Sequence, residues 1–65
     1  MMALVQVTVT RQGNKDMWFN TDNVAYITPV GHGEWNVTMN NNMTFTVGEA
    51  DAGRLFAEIT VRSRD

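Results

Sequence analysis

Trp35-Asn36-Val37-Thr38-Met39-Asn40-Asn41-Asn42-Met43-Thr44-Phe45-Thr46-Val47 reads as one β-hairpin. Trp35, Val37 and Met39 alternate with Asn36, Thr38 and Asn40. Past the turn, Met43, Phe45 and Val47 alternate with Thr44 and Thr46. Apolar and polar residues interleaved with a period of two mark a half-buried strand. Residues facing each other across a hairpin share a face, so keeping the two apolar rows together sets Met39 opposite Met43. Asn40, Asn41 and Asn42 then form a three-residue loop, whose favoured form is a type I turn followed by a left-handed residue. Asn42 takes that last position, because Asn tolerates positive φ better than most residues.

Upstream, Leu4 to Thr10 is a strand with Val5, Val7 and Val9 on its apolar row. Its β-branched residues suit a pleated surface. Arg11 to Asp16 is a turn in which Gly13 and Asn14 supply permissive backbone. Met17 to Asn20 is a short second strand of ambiguous parity; Phe19 is assigned to the core and Trp18 to the outside. Thr21-Asp22-Asn23 is a tight polar turn in which Asp22 or Asn23 bonds its own backbone. Val24 to Thr28 is a third strand with Ile27 toward the core, and Pro29, which cannot donate to a ladder, ends it. Gly31-His32-Gly33 is a flexible loop into the hairpin.

Gly48 closes the sheet, and from Glu49 the period changes. Ala52, Leu55, Phe56 and Ile59 fall at i, i+3, i+4 and i+7, one face of a helix. Glu49 and Asp51 in its first turn, with Arg62 and Arg64 near or past its end, suit the helix dipole. Gly53 costs such a helix about 1 kcal/mol relative to Ala, which points to close packing on the sheet. The expected fold is a single α+β domain over residues 1–65: an antiparallel β-meander of four to five strands with one C-terminal helix packed on one face. Its expected core is Val5, Val7, Val9, Phe19, Ile27, Val37, Met39, Phe45, Val47, Leu55, Phe56 and Ile59.

A chain of 65 residues makes one small domain. Such a domain buries only about 60% of its unfolded surface. With no cysteine, neither a disulfide nor a thiolate metal site reinforces it. Association is the remaining way to bury more area. A net charge of −2 and a pI near 5.1 give no general attraction to nucleic acid or to anionic membranes. No apolar run approaches the roughly 20 residues of a membrane span. The start, Met1-Met2-Ala3-Leu4-Val5, lacks the basic and long apolar parts of a signal peptide. The expectation is a soluble, cytoplasmic protein with no membrane insertion.

The residues for catalysis are sparse. His32 is the only histidine, with Glu34 two residues on, and too few ligands exist for a metal site. Ser63 is the only serine and stands at the C-terminal end. Gly31-x-Gly33 leads into a strand, whereas phosphate cradling needs a helix. The chain is therefore read as a non-enzyme without cofactor, metal or catalytic residues. The aromatic residues carry more. Trp35 shares parity with Val37 and Met39, which places it in the core. Trp18 and Tyr26 are assigned to adjacent strands and to one outer face. Such aromatics stack on bases and are enriched at protein interfaces; in an acidic chain the interface reading ranks first. Arg54, Arg62 and Arg64, diluted by Glu58 and Asp65, read as a solvated face.

Laid out in order, the chain resembles the small FlbD/SwrD-type flagellar and swarming-motility proteins. The matching pieces are Thr10-Arg11 before a Gly/Asn turn, Asn20 and Asp22 with Val24, Ile27, then Val37, Met39, Asn41, Val47 and Glu49. All are turn or core positions, and together they span about residues 7 to 60. Where that family usually has Gly in the hairpin, this chain has Asn42. The resemblance implies a small, non-enzymatic accessory protein, with flagella less firmly implied. A fainter likeness to CsrA-type RNA-binding proteins rests on Thr10-Arg11 and a glycine turn; the rest of that pattern is missing.

The function expected is a non-catalytic regulatory or protein-binding module acting as a homo-oligomer, with another protein as a further partner. The alternative is a protein that binds or sequesters a small molecule or nucleotide, its pocket at a subunit interface near Trp18, Tyr26 and Arg11. A viral origin fits either class. RNA binding ranks last. The candidates for contact with a partner or ligand are Trp18, Tyr26, Arg11, His32 and Trp35.

Overall fold

The computed structural model describes residues 4–11 and 13–63, with side chains only as far as Ile59 within the helix. The roles expected of Arg62, Ser63, Arg64 and Asp65 lie outside the described side chains. Five strands and one helix follow in order: β1 (Leu4–Val9), β2 (Lys15–Asn20), a 3-10 turn (Thr21–Asn23), β3 (Val24–Gly31), β4 (Glu34–Met39), β5 (Thr44–Gly48) and α1 (Glu49–Ser63). All neighbouring strands pair antiparallel. The fold is α+β, with a five-stranded antiparallel sheet and a C-terminal helix.

The β4–β5 hairpin has the register that its pattern requires. Val37 faces Phe45 and Thr38 faces Thr44. Met39 N donates to Met43 O at 2.8 Å, and Asn42 N donates back to Met39 O at 2.9 Å. Asn42 has φ of 69°, the left-handed position that completes a three-residue loop.

Strand order is β2-β1-β5-β4-β3. A three-strand meander, β3–β4–β5, thus joins a hairpin, β1–β2, through pairing of β1 with β5. That junction is narrow: Val9 faces Val47, and Thr10 N donates to Thr46 O at 2.8 Å. β2 and β3 are the two edges, yet only Thr21–Asn23 separate them in sequence. Four residue steps reach at most about 14 Å. Crossing four strand spacings of a flat sheet needs about 19 Å. The sheet must therefore curl, bringing the end of β2 toward the start of β3. Asn23 O, which accepts from Asn40 N at 2.8 Å, ties that end down.

Curling wraps the apolar row of each strand around one core. Val5, Val7, Val9, Phe19, Val37, Val47, Ala52 and Leu55 are buried, and Met17, Val24, Ile27, Trp35, Met39 and Phe45 pack against them. Register explains the set: Val5 faces Phe19 and Val7 faces Met17, while Val37 faces both Ile27 and Phe45. The outer row carries threonines joined through their hydroxyls. Thr38 and Thr44 are 3.1 Å apart, and Thr46 donates to Asn36 Oδ1 at 2.7 Å.

The helix takes over where β5 stops. Gln6, Thr8 and Thr10 turn their backbone groups away from β2. Thr10 meets β5, but Thr8 N donates to Asp51 Oδ2 at 2.8 Å, and Gln6 O accepts from Arg54 Nη2. Arg54 Nη2 also donates to Asp51 Oδ1. Side chains from the first turns of α1 thus satisfy polar groups that a sixth strand would otherwise have to meet.

Several expectations are corrected. Phe56 is 41% exposed. It lies about 100° around the helix from Leu55, which turns it off the buried line of Ala52 and Leu55 and sets its ring edge-on to Trp35, centroids 5.5 Å apart. Gly53 is exposed, and an added Cβ would meet nothing within 4 Å, so close packing is not its reason. Pro29 does not end β3, which continues to Gly31. Since Met39 N bonds to β5, the odd-numbered residues of β4 direct their backbone toward β5. Pro29 lies opposite one of them, Trp35, so its nitrogen points away from β4, where no ladder bond is lost. Gly31-His32-Gly33 is no loose loop. Gly31 pairs with Glu34 around His32 and Gly33, both at positive φ (56° and 75°), as a two-residue type I′ turn requires. At the 3-10 turn the Asn20 side chain also caps, accepting from Asp22 N at 3.0 Å.

Candidate functional site

An open cleft of about 470 Å³ lies between β2 and the tip of the β4–β5 hairpin. It exists because the sheet curls without closing. β1 and β5 meet only near Val9 and Val47, so the hairpin and the meander diverge from there. The helix covers the β1 side; the β2 side stays open. Met17, Trp18, Phe19, Met39, Met43 and Phe45 line the opening. Phe19 and Phe45 form its floor, ring centroids 5.2 Å apart at a 52° tilt.

The rim is asparagine. Asn20, Asn23, Asn40 and Asn41 border the cleft, and hydrogen bonds at the rim, beginning with Asn40 N to Asn23 O, hold it in place. Asn40 Nδ2 donates to Asp22 O at 3.4 Å, and Asn41 Oδ1 accepts from Met43 N at 3.1 Å. The apolar wall is more adaptable. Three methionines supply unbranched, polarizable side chains that fit irregular partners, and Met43 is exposed.

Trp18 has a special place. It faces Gln6 across β1–β2 and is 64% exposed, outside the core as assigned from the sequence. It walls the methionine cleft on one side. On the other it walls a second recess of about 380 Å³, with Leu4, Gln6, Arg54 and Ala57.

The other candidates are not gathered there. Tyr26, 58% exposed, is on β3, at the opposite edge from Trp18. The adjacency assigned to them is corrected: these successive strands do not pair, because each forms an edge of the sheet. Arg11 lies past the other end of β1, with Nη2 3.6 Å from Glu34 Oε1; the second oxygen of Glu34 accepts from Thr10 Oγ1 at 3.0 Å. His32 is exposed in the β3–β4 turn. Trp35 is half-buried against Phe56. Neither Tyr26 nor Arg11 lines either of the two recesses beside Trp18.

Met17 and Met43 were missed by the sequence reading, and Met39 and Phe45 were assigned wholly to the core. The signal available was the loop length, which sets Met39 opposite Met43 at a hairpin tip, where no further strand residue covers them. Among the described residues no group of three His, Cys, Asp or Glu side chains comes together to hold a metal. No helix among them is long and apolar enough to cross a membrane. Comparison with protein-family models, curated proteins and solved structures returns no match.

Proposed function

We propose that this protein is a non-catalytic binding module that associates with itself and docks another protein at the cleft beside Trp18. The observation that carries this reading is Trp18 itself: a large aromatic, mostly exposed, forming the wall between two recesses. Tryptophan anchors of this kind dominate the energetics of protein interfaces. A methionine wall lets such a surface repack around its partner. The resemblance to FlbD/SwrD-type accessory proteins points to the same class, a small regulator without catalysis. Cytoplasmic action is part of this reading, with which a chain free of cysteine is compatible.

The second reading is a small-molecule binder. The cleft volume falls within the roughly 300–1,000 Å³ of ligand pockets, and the asparagine rim supplies polar groups around an apolar floor. Both are tested by one capture experiment with wild-type protein and Trp18→Ala, read by mass spectrometry for proteins and small molecules. A single abundant protein held by wild type and lost in Trp18→Ala supports the first reading. A small molecule retained through purification and lost in the variant supports the second. Equal capture by both forms overturns the placement at Trp18.

A further inference from the structure

We infer that the first partner of this chain is a second copy of itself, joined by antiparallel pairing of the two β2 strands edge to edge with Trp18 on the twofold axis. The inference rests on the binding role proposed above and names its geometry.

The backbone points the right way. Gln6 and Thr8 direct their polar groups to α1, and Thr10 directs its own to β5. By alternation, Val5, Val7 and Val9 exchange bonds with β2 through Phe19, Met17 and Lys15, which they face. Asp16 and Trp18 therefore present N–H and C=O to the open side of β2. An antiparallel strand laid there would exchange two bonds with Trp18.

The edge is regular where it needs to be. β2 pairs with β1 without a shift through six residue pairs, from Leu4–Asn20 to Val9–Lys15. It contains no proline and no bulge, two of the devices against edge pairing, and its two charged residues, Lys15 and Asp16, stand together at one end.

The strand is also self-complementary in one register. With Trp18 on the axis, each Trp18 meets the other, Met17 meets Phe19 of the second copy, and Asp16 meets a neutral Asn20. Shifting the axis to Asp16 sets two carboxylates opposite each other, which is destabilising. Shifting it to Met17 sets Trp18 against Asp16 and Phe19 against Lys15. Of these three registers, the one centred on Trp18 alone sets Met17 against Phe19 and keeps both inner-row pairs apolar, and it brings Met17 and Phe19 of the second copy beside the mouth of the cleft. Assembly stops at two, because the other edge, β3, carries Pro29 and two register shifts. A twofold interface that consumes the one usable edge is closed.

The absence of native cysteine makes a clean test. Purified full-length protein is followed by light scattering on size exclusion across the micromolar range. Wild type should show twice the chain mass of 7.3 kDa, and Trp18→Lys should show the chain mass with an unchanged far-ultraviolet dichroism spectrum. Trp18→Cys treated with a short bismaleimide should give a covalent dimer and nothing larger, since paired Cα atoms at the axis are about 5.5 Å apart. Tyr26→Cys, on β3, should give none. In Trp35→Phe, where Trp18 is the sole tryptophan, emission should move to shorter wavelength as the mass doubles. A wild type that stays at chain mass overturns the inference. So does crosslinking through Tyr26→Cys, a mass above two chains, or a doubling of mass with Trp18 emission unmoved. A monomer that still captures a partner through Trp18 overturns the dimer alone. A Trp18-centred dimer that captures nothing upholds the dimer and removes the docking role.

Discussion

The two edges of this sheet have been treated differently. β3 carries a proline whose nitrogen faces outward, and its register slips twice, between Val24 and Tyr26 and between Pro29 and Gly31. Each feature disrupts the row of donors and acceptors that a new strand would need. β2 has none of these and bears an exposed tryptophan. A third edge, the stretch of β1 beyond β5, is covered from within the chain by Asp51 and Arg54. Two edges are thus closed and one is left regular. The contrast is what favours β2 for the proposed pairing, because exposed area is almost equal at Trp18 and Tyr26.

The contrast is broken most severely at the helix. Leu55 is fully buried where the hairpin and meander halves meet α1, so Leu55→Ala should cost about 2–5 kcal/mol in urea denaturation. A variant melting with wild type would mean that the helix does not hold the halves together. Next comes the covered edge. Asp51→Ala leaves the Thr8 N–H without its acceptor and should cost about 1–3 kcal/mol, with Asp51→Asn, which keeps an acceptor, losing less. Equal losses would show that charge rather than the bond closes this edge. At the hairpin tip bordering the cleft, Asn42→Val should cost more than about 1 kcal/mol and Asn42→Gly almost nothing, since only the first strains the left-handed backbone. Identical melting temperatures would remove the turn as a determinant of the rim. The smallest effect on stability belongs to Pro29→Thr, under about 1 kcal/mol, but it restores a donor to β3. Light scattering should then detect species larger than the wild type; an unchanged mass would assign the protection of that edge to its bulges alone.

Much of the architecture was legible because it is local. The alternation from Trp35 to Val47 contains its own register, its loop length and the sign of φ at Asn42. The switch to a period of 3.6 after Gly48 marks the start of α1 at Glu49. Strand order was not legible in this way. Pairing of Val9 with Val47 is long-range, and nothing near Thr21-Asp22-Asn23 says that β3 will not pair with β2. Tyr26 was therefore placed beside Trp18, and the methionine cleft between β2 and the β4–β5 tip went unread. Phe56 failed for another reason: an i+3, i+4 pair of apolar residues defines a stripe about 100° wide, and a helix meeting a curled sheet buries only one line of it.

The narrow junction between β1 and β5 also governs how the molecule comes apart. Both hairpins close over a few residues, whereas Thr10 and Thr46 are separated by most of the chain. Closing so long a loop carries an entropy cost that local contacts do not share, and topologies with such contacts fold more slowly than purely local ones. Amide hydrogen exchange should therefore divide the sheet. The Met39 amide, bonded within its own hairpin, can remain protected while the halves separate. The Thr10 amide, whose acceptor belongs to the other half, exchanges as soon as they part, and so reads the opening of the domain directly.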